Sequence, residues 1–143
     1  NKLTMYKFSQ RSLTNLERIH PFLVKVMKTS IINSPVDFTI TNGIRTLKEQ
    51  QILYSKGRTT PGPKVTNADG IRYKSNHQLK ADGYGYAVDL YPFYDGKVQV
   101  HDVQKLKLIA SHIKKTAVSL NVKIEWGGDW KSFKDYPHFE LKT

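Results

Sequence analysis

Two histidines and a nearby carboxylate are the residues of this chain most able to do chemistry. His77 ends a Ser-x-His motif, Asp89 ends a Gly-x-Ala-x-Asp motif, and His138 ends an Asp-x-Pro-His motif. Two imidazoles and one carboxylate, with a fourth position left for water, form the ligand set of a catalytic zinc. The sequence therefore predicts a zinc site, with Asp82 as the rival to Asp89 for the carboxylate.

Asp135 is the candidate general base, because it lies three residues before His138. In the predicted mechanism, zinc lowers the pKa of its bound water, and Asp135 accepts the proton and passes it to the leaving amine. Asp129 is the nearest rival, although it could simply turn the chain between two tryptophans, and Glu125 is a weaker third. We therefore predict a zinc peptidase with Asp135 as its base.

These motifs together resemble a family of peptidoglycan-cleaving zinc peptidases. The family includes phage L-alanyl-D-glutamate endopeptidases and bacterial D-alanyl-D-alanine carboxypeptidases and dipeptidases. Gly-Ile-Arg at 43–45 resembles the family's strand-end arginine, and the resemblance runs from about Phe38 to the last residue. Trp-Gly-Gly-Asp-Trp followed by Asp-x-Pro-His-Phe-Glu is most similar to the endopeptidase branch, whose members are commonly phage endolysins. The resemblance implies zinc-dependent cleavage between L-alanine and D-glutamate of the stem peptide.

One interval departs from the family pattern. His77 and Asp89 are twelve positions apart, which is longer than the family spacing, and the additional residues fall within the polar segment 78–84. We interpret this segment as a lengthened loop. Asp89 is preferred to Asp82 as the ligand, because residues 87–91 alternate like a strand and the Gly-x-Ala-x-Asp spacing is intact.

Two further residues receive roles. The guanidinium of Arg45 stays charged at any relevant pH and is expected to stabilise the developing oxyanion. Ser75 is expected to donate a hydrogen bond to substrate or to a metal ligand. Two alternative functions stay open, which are a D-alanyl-D-alanine carboxypeptidase or dipeptidase on the same scaffold and a non-catalytic module that binds polyanions.

Composition bounds the class of protein. A length of 143 residues fits a single catalytic domain without a separate wall-binding domain, and 23 Lys and Arg against 12 Asp and Glu give a charge of +11. There is no cysteine, so a metal must be held by nitrogen and oxygen, and no apolar run approaches the ~20 residues of a membrane span. We expect a monomer that binds bacterial peptidoglycan and no specific nucleic acid. It would be made in the host cytoplasm as an endolysin acting on the wall, or be secreted to the wall by a bacterium.

Periodicity predicts an α+β fold with a small, mostly antiparallel sheet of about four strands and helices packed on it. The expected helices cover 12–20, 21–32, a stretch after the capping box at Thr46, and 102–120, where Asp102 is the N-cap. The expected strands cover 37–41, 87–91, 122–126 and 138–141. Residues 57–74 are expected to form an irregular loop and one wall of a substrate groove. Strand alternation places His138 and Glu140 on one face, with Glu140 positioned to orient a ligand histidine.

Overall fold

The computed structural model describes residues 5–143 and has an α+β architecture, as predicted. Within these residues, an antiparallel sheet of five strands carries four α-helices. The helices are α1 (Gln10–Asn15), α2 (Pro21–Ile32), α3 (Leu47–Ser55) and α4 (Val103–Ser119). The strands are β1 (Phe38–Asn42), β2 (Ala87–Tyr94), β3 (Lys97–Val98), β4 (Ile124–Trp126) and β5 (His138–Leu141), and a short 3-10 helix spans Gly127–Asp129.

The sheet order is β1, β2, β5, β4, with the short β3 paired to the far end of β2. β2 and β5 are therefore central neighbours, although residues 95–137 separate them in the chain. Their register sets Asp89 directly opposite His138. On its other side, Asp89 lies opposite Asn42, where the pairing of β1 with β2 shifts at a bulge. The two central strands thus bring two of the predicted ligands together.

The two faces of the sheet have different roles. Val88 and Leu90 on β2 and Phe139 on β5 are fully buried in the hydrophobic core, together with residues of α2 and α4. Because side chains alternate along a strand, Asp89 and His138 point to the opposite face. Helices α2 and α4 therefore cover one face of the sheet, and the candidate site lies on the other.

Local side-chain bonds fix where two helices begin. Thr46 and Glu49 form the predicted capping box, in which each side chain accepts a backbone N–H from the other residue. Asp102 caps α4 by accepting the N–H of Lys105, and the Tyr94 hydroxyl donates to the same carboxylate. These caps confirm the predicted starts of α3 and α4.

The first helix differs from the prediction of a helix over 12–20. α1 covers Gln10–Asn15 and starts at the Ser9 cap. Arg18 takes a left-handed conformation, with φ of 63°, and ends any helical path. Ile19 then pairs with Gly85 in a parallel bridge. This tertiary contact overrides the helical periodicity of residues 12–20. Smaller differences are that β2 runs on to Tyr94 and that β3 was not predicted.

Residues 57–74 form the predicted irregular loop, which packs beside α3. The Arg58 guanidinium donates to the carbonyls of Tyr54 and Thr66 and lies over the Tyr54 ring. The Asp69 carboxylate accepts three consecutive backbone N–H groups, from residues 71 to 73. The loop is therefore ordered by its own polar contacts. In the described part of the chain, no helix has the length and apolar character needed to cross a membrane.

Candidate active site

Three side chains converge at the centre of the exposed sheet face. The Nε2 atom of His77 lies 3.4 Å from Oδ1 of Asp89, and Nδ1 of His138 lies 3.6 Å from the same oxygen. One ligand atom from each residue lies within 4.8 Å of the other two. In residues 5–143 this is the one group of three such side chains with the spacing of a metal site. The structure therefore brings together the three residues predicted as ligands.

In each of the two histidines, the ring nitrogen that faces away from Asp89 forms a hydrogen bond. Nδ1 of His77 lies 3.0 Å from the Gly43 carbonyl, and Nε2 of His138 lies 2.8 Å from a Glu140 carboxylate oxygen. Both oxygens can only accept, so each of these nitrogens carries the proton in the neutral ring. The inner nitrogens then present lone pairs towards Asp89. A carboxylate or carbonyl behind the imidazole is the usual arrangement around a metal-binding histidine.

Asp89 shows why these donors suit a cation. Its Oδ1 atom is buried and has no hydrogen-bond partner, although buried polar atoms are nearly always paired. Three electron-pair donors thus face one another with no proton between them when both rings are neutral. Burial alone would raise the pKa of Asp89, but the imidazoles of His138 and His77 hold that pKa well below its usual range. The donor set fits a divalent metal ion with nitrogen and oxygen ligands.

The pKa of His138 also indicates that the site favours positive charge. Burial alone would lower its pKa, but the carboxylates of Asp89 and Glu140 outweigh burial and raise the pKa of His138 to about 9. Glu140 keeps a lowered pKa despite its burial, because it bonds His138 and accepts a hydrogen bond from Asn76. The surroundings of His138 therefore favour positive charge at this position.

The turn before β2 positions His77. The Ser75 hydroxyl accepts the backbone N–H of His77, and the His77 carbonyl accepts the N–H of Arg45. Ser75 therefore has a structural contact with a predicted ligand. The predicted hydrogen bond from Ser75 to substrate stays a prediction.

The lengthened segment 78–84 turns away from the site and contributes no residue to the groove. A backbone bond from Lys80 to Tyr84 closes the loop, and the N–H of Tyr86 bonds the Asn76 carbonyl at its base. Asp82 accepts hydrogen bonds from the Tyr86 hydroxyl and the Tyr84 N–H and lies outside the group of three. Both ends of the loop are thus anchored, and the geometry favours Asp89 over Asp82.

Arg45 lies beside the group of three, just beyond β1. Its Nη2 atom is 4.0 Å from Oδ2 of Asp89, while Nη1 donates to Oε1 of Gln50 at 2.8 Å. Gln50 is fully buried and donates to the carbonyl of Ala68 in the irregular loop. The sequence analysis did not identify Gln50, although a glutamine on the inner face of a short helix is a signal of a buried polar bond.

Asp135 lies in the turn before β5, as predicted. Its carbonyl accepts the N–H of His138, and its Oδ2 atom lies 3.9 Å from Nδ1 of His138. Burial first, and the charge of Asp89 second, raise the pKa of Asp135, against the lowering effect of His138. The rival residues are used elsewhere, because Asp129 pairs with Lys114 and Glu125 pairs with Lys142.

A comparison with known protein families identifies the family of this chain. Residues 4–143 match the family described as phage L-alanyl-D-glutamate peptidase. The chain belongs to this family of peptidases. The predicted site residues His77, Asp89, Asp135 and His138 all fall within the matched range.

Individual relatives support the same assignment to the L-alanyl-D-glutamate peptidase family. The peptidoglycan L-alanyl-D-glutamate endopeptidase CwlK of Bacillus subtilis (strain 168) is 33% identical over 126 residues, which cover 86% of this chain and 73% of CwlK. The L-alanyl-D-glutamate peptidase of Escherichia phage T5 is 28% identical over 137 residues, covering 96% of this chain and 90% of the phage protein. A crystal structure of the Serratia marcescens L-Ala D-Glu endopeptidase ChiX superposes with a TM-score of 0.75 at 28% identity, covering 95% of this chain and 90% of ChiX.

In this member of the family the site opens into a groove of about 1200 Å³. One wall is α3 with residues 64–68 of the irregular loop, as predicted, and the other wall is the segment 130–137. All six predicted site residues line the groove, namely Arg45, Ser75, His77, Asp89, Asp135 and His138.

The groove also contains residues that the sequence analysis did not assign to it. Tyr91 lies on the same strand face as Asp89, and burial, Asp89 and Asp135 raise the pKa of its hydroxyl. The Trp130 ring lies 5.1 Å from the His138 ring, and Phe133 is 79% exposed at the rim with a left-handed φ of 53°. Alternation along β2 predicts that Tyr91 shares the face of Asp89, although the sequence analysis gave Tyr91 no role in the site.

Proposed function

We propose that this protein is a zinc-dependent endopeptidase that hydrolyses the L-alanyl-D-glutamate bond of the peptidoglycan stem peptide. The observation that carries the proposal is the convergence of three donor atoms, from His77, Asp89 and His138, beside Asp135 in an open groove. Membership of the L-alanyl-D-glutamate peptidase family and the names of its relatives support the choice of bond.

His77, Asp89 and His138 would hold the zinc ion. Two neutral imidazoles and a carboxylate suit zinc, and the absence of cysteine from the chain leaves nitrogen and oxygen as its ligands. When bound, zinc would acidify a water molecule and polarise the scissile carbonyl. The Gly43 carbonyl and Glu140 would hold the two rings in the orientation and tautomer that this role needs.

Asp135 would act as the general base. Its carboxylate is half-exposed to the groove and lies near His138, so it can reach a water molecule beside the three donors. A pKa raised by burial brings the group closer to working pH, where a carboxylate accepts a proton more readily. Asp135 would then give this proton to the nitrogen of D-glutamate as the amide bond breaks.

Arg45 and Tyr91 would bind the substrate around the reacting carbonyl. Gln50 fixes the Arg45 guanidinium, so its charge is positioned before substrate arrives and costs little reorganisation. The Tyr91 hydroxyl stays protonated because its pKa is raised, and it is placed to donate a hydrogen bond from the groove floor. Ser75 would support Arg45, whose Nη1 atom lies 3.5 Å from the Ser75 hydroxyl.

The proposed setting is the bacterial cell wall, with peptidoglycan as the macromolecular partner and a monomer as the active form. The catalytic domain would then act either in phage lysis or in bacterial wall turnover.

The test is mass spectrometry of purified peptidoglycan after digestion by the zinc-loaded protein, with an EDTA-treated sample and a His77→Ala variant beside it. We expect new D-glutamate amino termini in the zinc-loaded sample alone. Release of D-alanine would instead show a carboxypeptidase. Absence of any cleavage by the zinc-loaded protein would contradict the enzyme and favour a binding module.

A further inference from the structure

The two longest helices carry an unusual distribution of charge. α2 and α4 together hold six lysines and no acidic residue, although the chain has 12 Asp and Glu. The net charge of the whole chain is +11, so these 29 residues contribute more than half of it. The lysines are Lys25, Lys28, Lys105, Lys107, Lys114 and Lys115.

Four of the six lysines are free of local partners. Lys114 pairs with Asp129, and the Lys105 ammonium lies 5.2 Å from the centre of the Tyr94 ring. Lys25 and Lys28 on α2 and Lys107 and Lys115 on α4 are exposed, and among residues 5–143 none of these four lies within 4.0 Å of a carboxylate oxygen. We call these four residues the helix lysines.

The helix lysines lie on the side of the molecule away from the groove. α2 and α4 pack on the sheet face formed by Val88, Leu90 and Phe139, whereas Asp89 and His138 point to the other face. A ligand on the helices would therefore leave the groove open. The lysines have no contact with the residues assigned to catalysis.

The apolar residues on these helices argue against a lipid surface. Phe22 and Ile32 are exposed at opposite ends of α2, ten residues or about 15 Å apart. Leu108 and Val118 on α4 are separated by the same distance. Polar residues and lysines lie between them, so there is no continuous apolar stripe of the kind that inserts into a bilayer.

We propose that the helix lysines form a docking surface for a poly(glycerol phosphate) chain, a flexible phosphodiester polymer. Charge complementarity supports this partner, because lysine ammonium groups act as point charges and bind phosphate without demanding one geometry. A flexible chain can follow lysines spread over two helices. The surface would hold the protein on a phosphate-rich envelope while the groove acts on nearby peptide.

The experiment measures binding of synthetic poly(glycerol phosphate) to the full chain by calorimetry at several salt concentrations. One variant replaces the helix lysines, Lys25→Gln, Lys28→Gln, Lys107→Gln and Lys115→Gln. The matched control replaces four exposed lysines elsewhere, Lys7→Gln, Lys56→Gln, Lys97→Gln and Lys123→Gln, and so has the same net charge. Vesicles containing phosphatidylglycerol are the second probe.

We expect the helix variant to bind the polymer at least ~30-fold more weakly at low salt, with a salt slope smaller by about three, while the control loses less than about 5-fold. An equal loss in both variants would overturn the proposal, since net charge alone would then explain binding. Tighter wild-type binding to vesicles than to polymer would overturn it in favour of a lipid surface. Cleavage of a soluble muropeptide, measured in parallel, should be the same for both variants. If wild type does not cleave it, the proposed peptidase function is contradicted, while the binding result still stands.

Discussion

At the scale of single residues, Glu140 determines how firmly His138 is held. One carboxylate oxygen accepts the His138 ring proton and the other accepts the amide of Asn76. Glutamine can offer an oxygen to only one of these donors, and its own amide group would face the other donor. We expect Glu140→Gln to lower metal affinity by about 10 to 100-fold, measured by competition with a fluorescent zinc chelator.

The matched control for that change is Glu17→Gln, which removes a charge from an exposed position far along the chain. It should leave zinc affinity unchanged. Equal zinc affinity in wild type and Glu140→Gln would show that the carboxylate does not orient His138.

Asp135 is a residue whose loss should separate catalysis from metal binding. Asp135→Asn keeps the shape of the side chain but removes the proton acceptor, so we expect a loss of about 100 to 10,000-fold in kcat with bound zinc retained. Muropeptide turnover and zinc content by plasma mass spectrometry are the two measurements. Asp129→Asn, at the rival position, should stay active, and a fully active Asp135→Asn protein would rule out the assigned base.

The sequence predicted the candidate metal ligands and the candidate base better than the residues that position the groove side chains. His77, Asp89, Asp135 and His138 could be identified because their types and spacing narrow the chemistry. The support given by Gln50 could not be predicted, because its contacts with Arg45 and Ala68 exist only once α3 and the irregular loop have packed.

At the scale of elements, the N-terminal cap of α3 stabilises the fold next to a residue of the groove. Thr46 caps the helix, and it directly follows Arg45 in the chain. Thr46→Ala removes the acceptor for the Glu49 N–H, and we expect it to lower the free energy of unfolding by about 1 kcal/mol. Urea denaturation measures this change. Thr46→Ser keeps the hydroxyl and should stay close to wild type, and an equal loss in both variants would contradict the capping role.

Asp102 connects the end of β2 to the start of α4, and its contribution to stability should depend on pH. Its pKa is lowered first by the Tyr94 hydroxyl and then by the N–H of Lys105. A lowered folded pKa means that this stabilisation is complete above the unfolded pKa, about 3.9, and is lost as pH falls through the folded value. We therefore expect the melting temperatures of wild type and Asp102→Asn to differ at pH 7, and the difference to shrink as the pH falls below about 4 towards the lowered folded pKa. A difference that is constant with pH would contradict this.

Helices and strands were predicted where the local signal and the tertiary contacts agree. α4 was predicted to within a residue because its cap, apolar stripe and length all coincide. α1 was not, since the backbone of Ile19 pairs with Gly85, a residue more than sixty positions away. No periodicity within 12–20 could indicate that partner.

At the scale of the whole molecule, metal binding should stabilise the fold, because the three donors come from separate segments that meet only in the folded state. Zinc at about 100 times its dissociation constant adds about 2.7 kcal/mol, which raises the melting temperature of a chain of this size by about 8 °C. Differential scanning calorimetry measures the shift. His77→Ala should show little of it, and a shift of the same size in that variant would place the zinc elsewhere.

The two central histidines use opposite nitrogens, His77 pointing inwards with Nε2 and His138 with Nδ1. Each ring therefore keeps one N–H proton hydrogen-bonded to an oxygen on the outside, of a carbonyl in one case and a carboxylate in the other. Such sheltered protons exchange slowly with water. In a nitrogen-15 NMR spectrum of the metal-loaded protein the two neutral rings would give opposite tautomer patterns, so the filling of the site could be followed at each histidine separately.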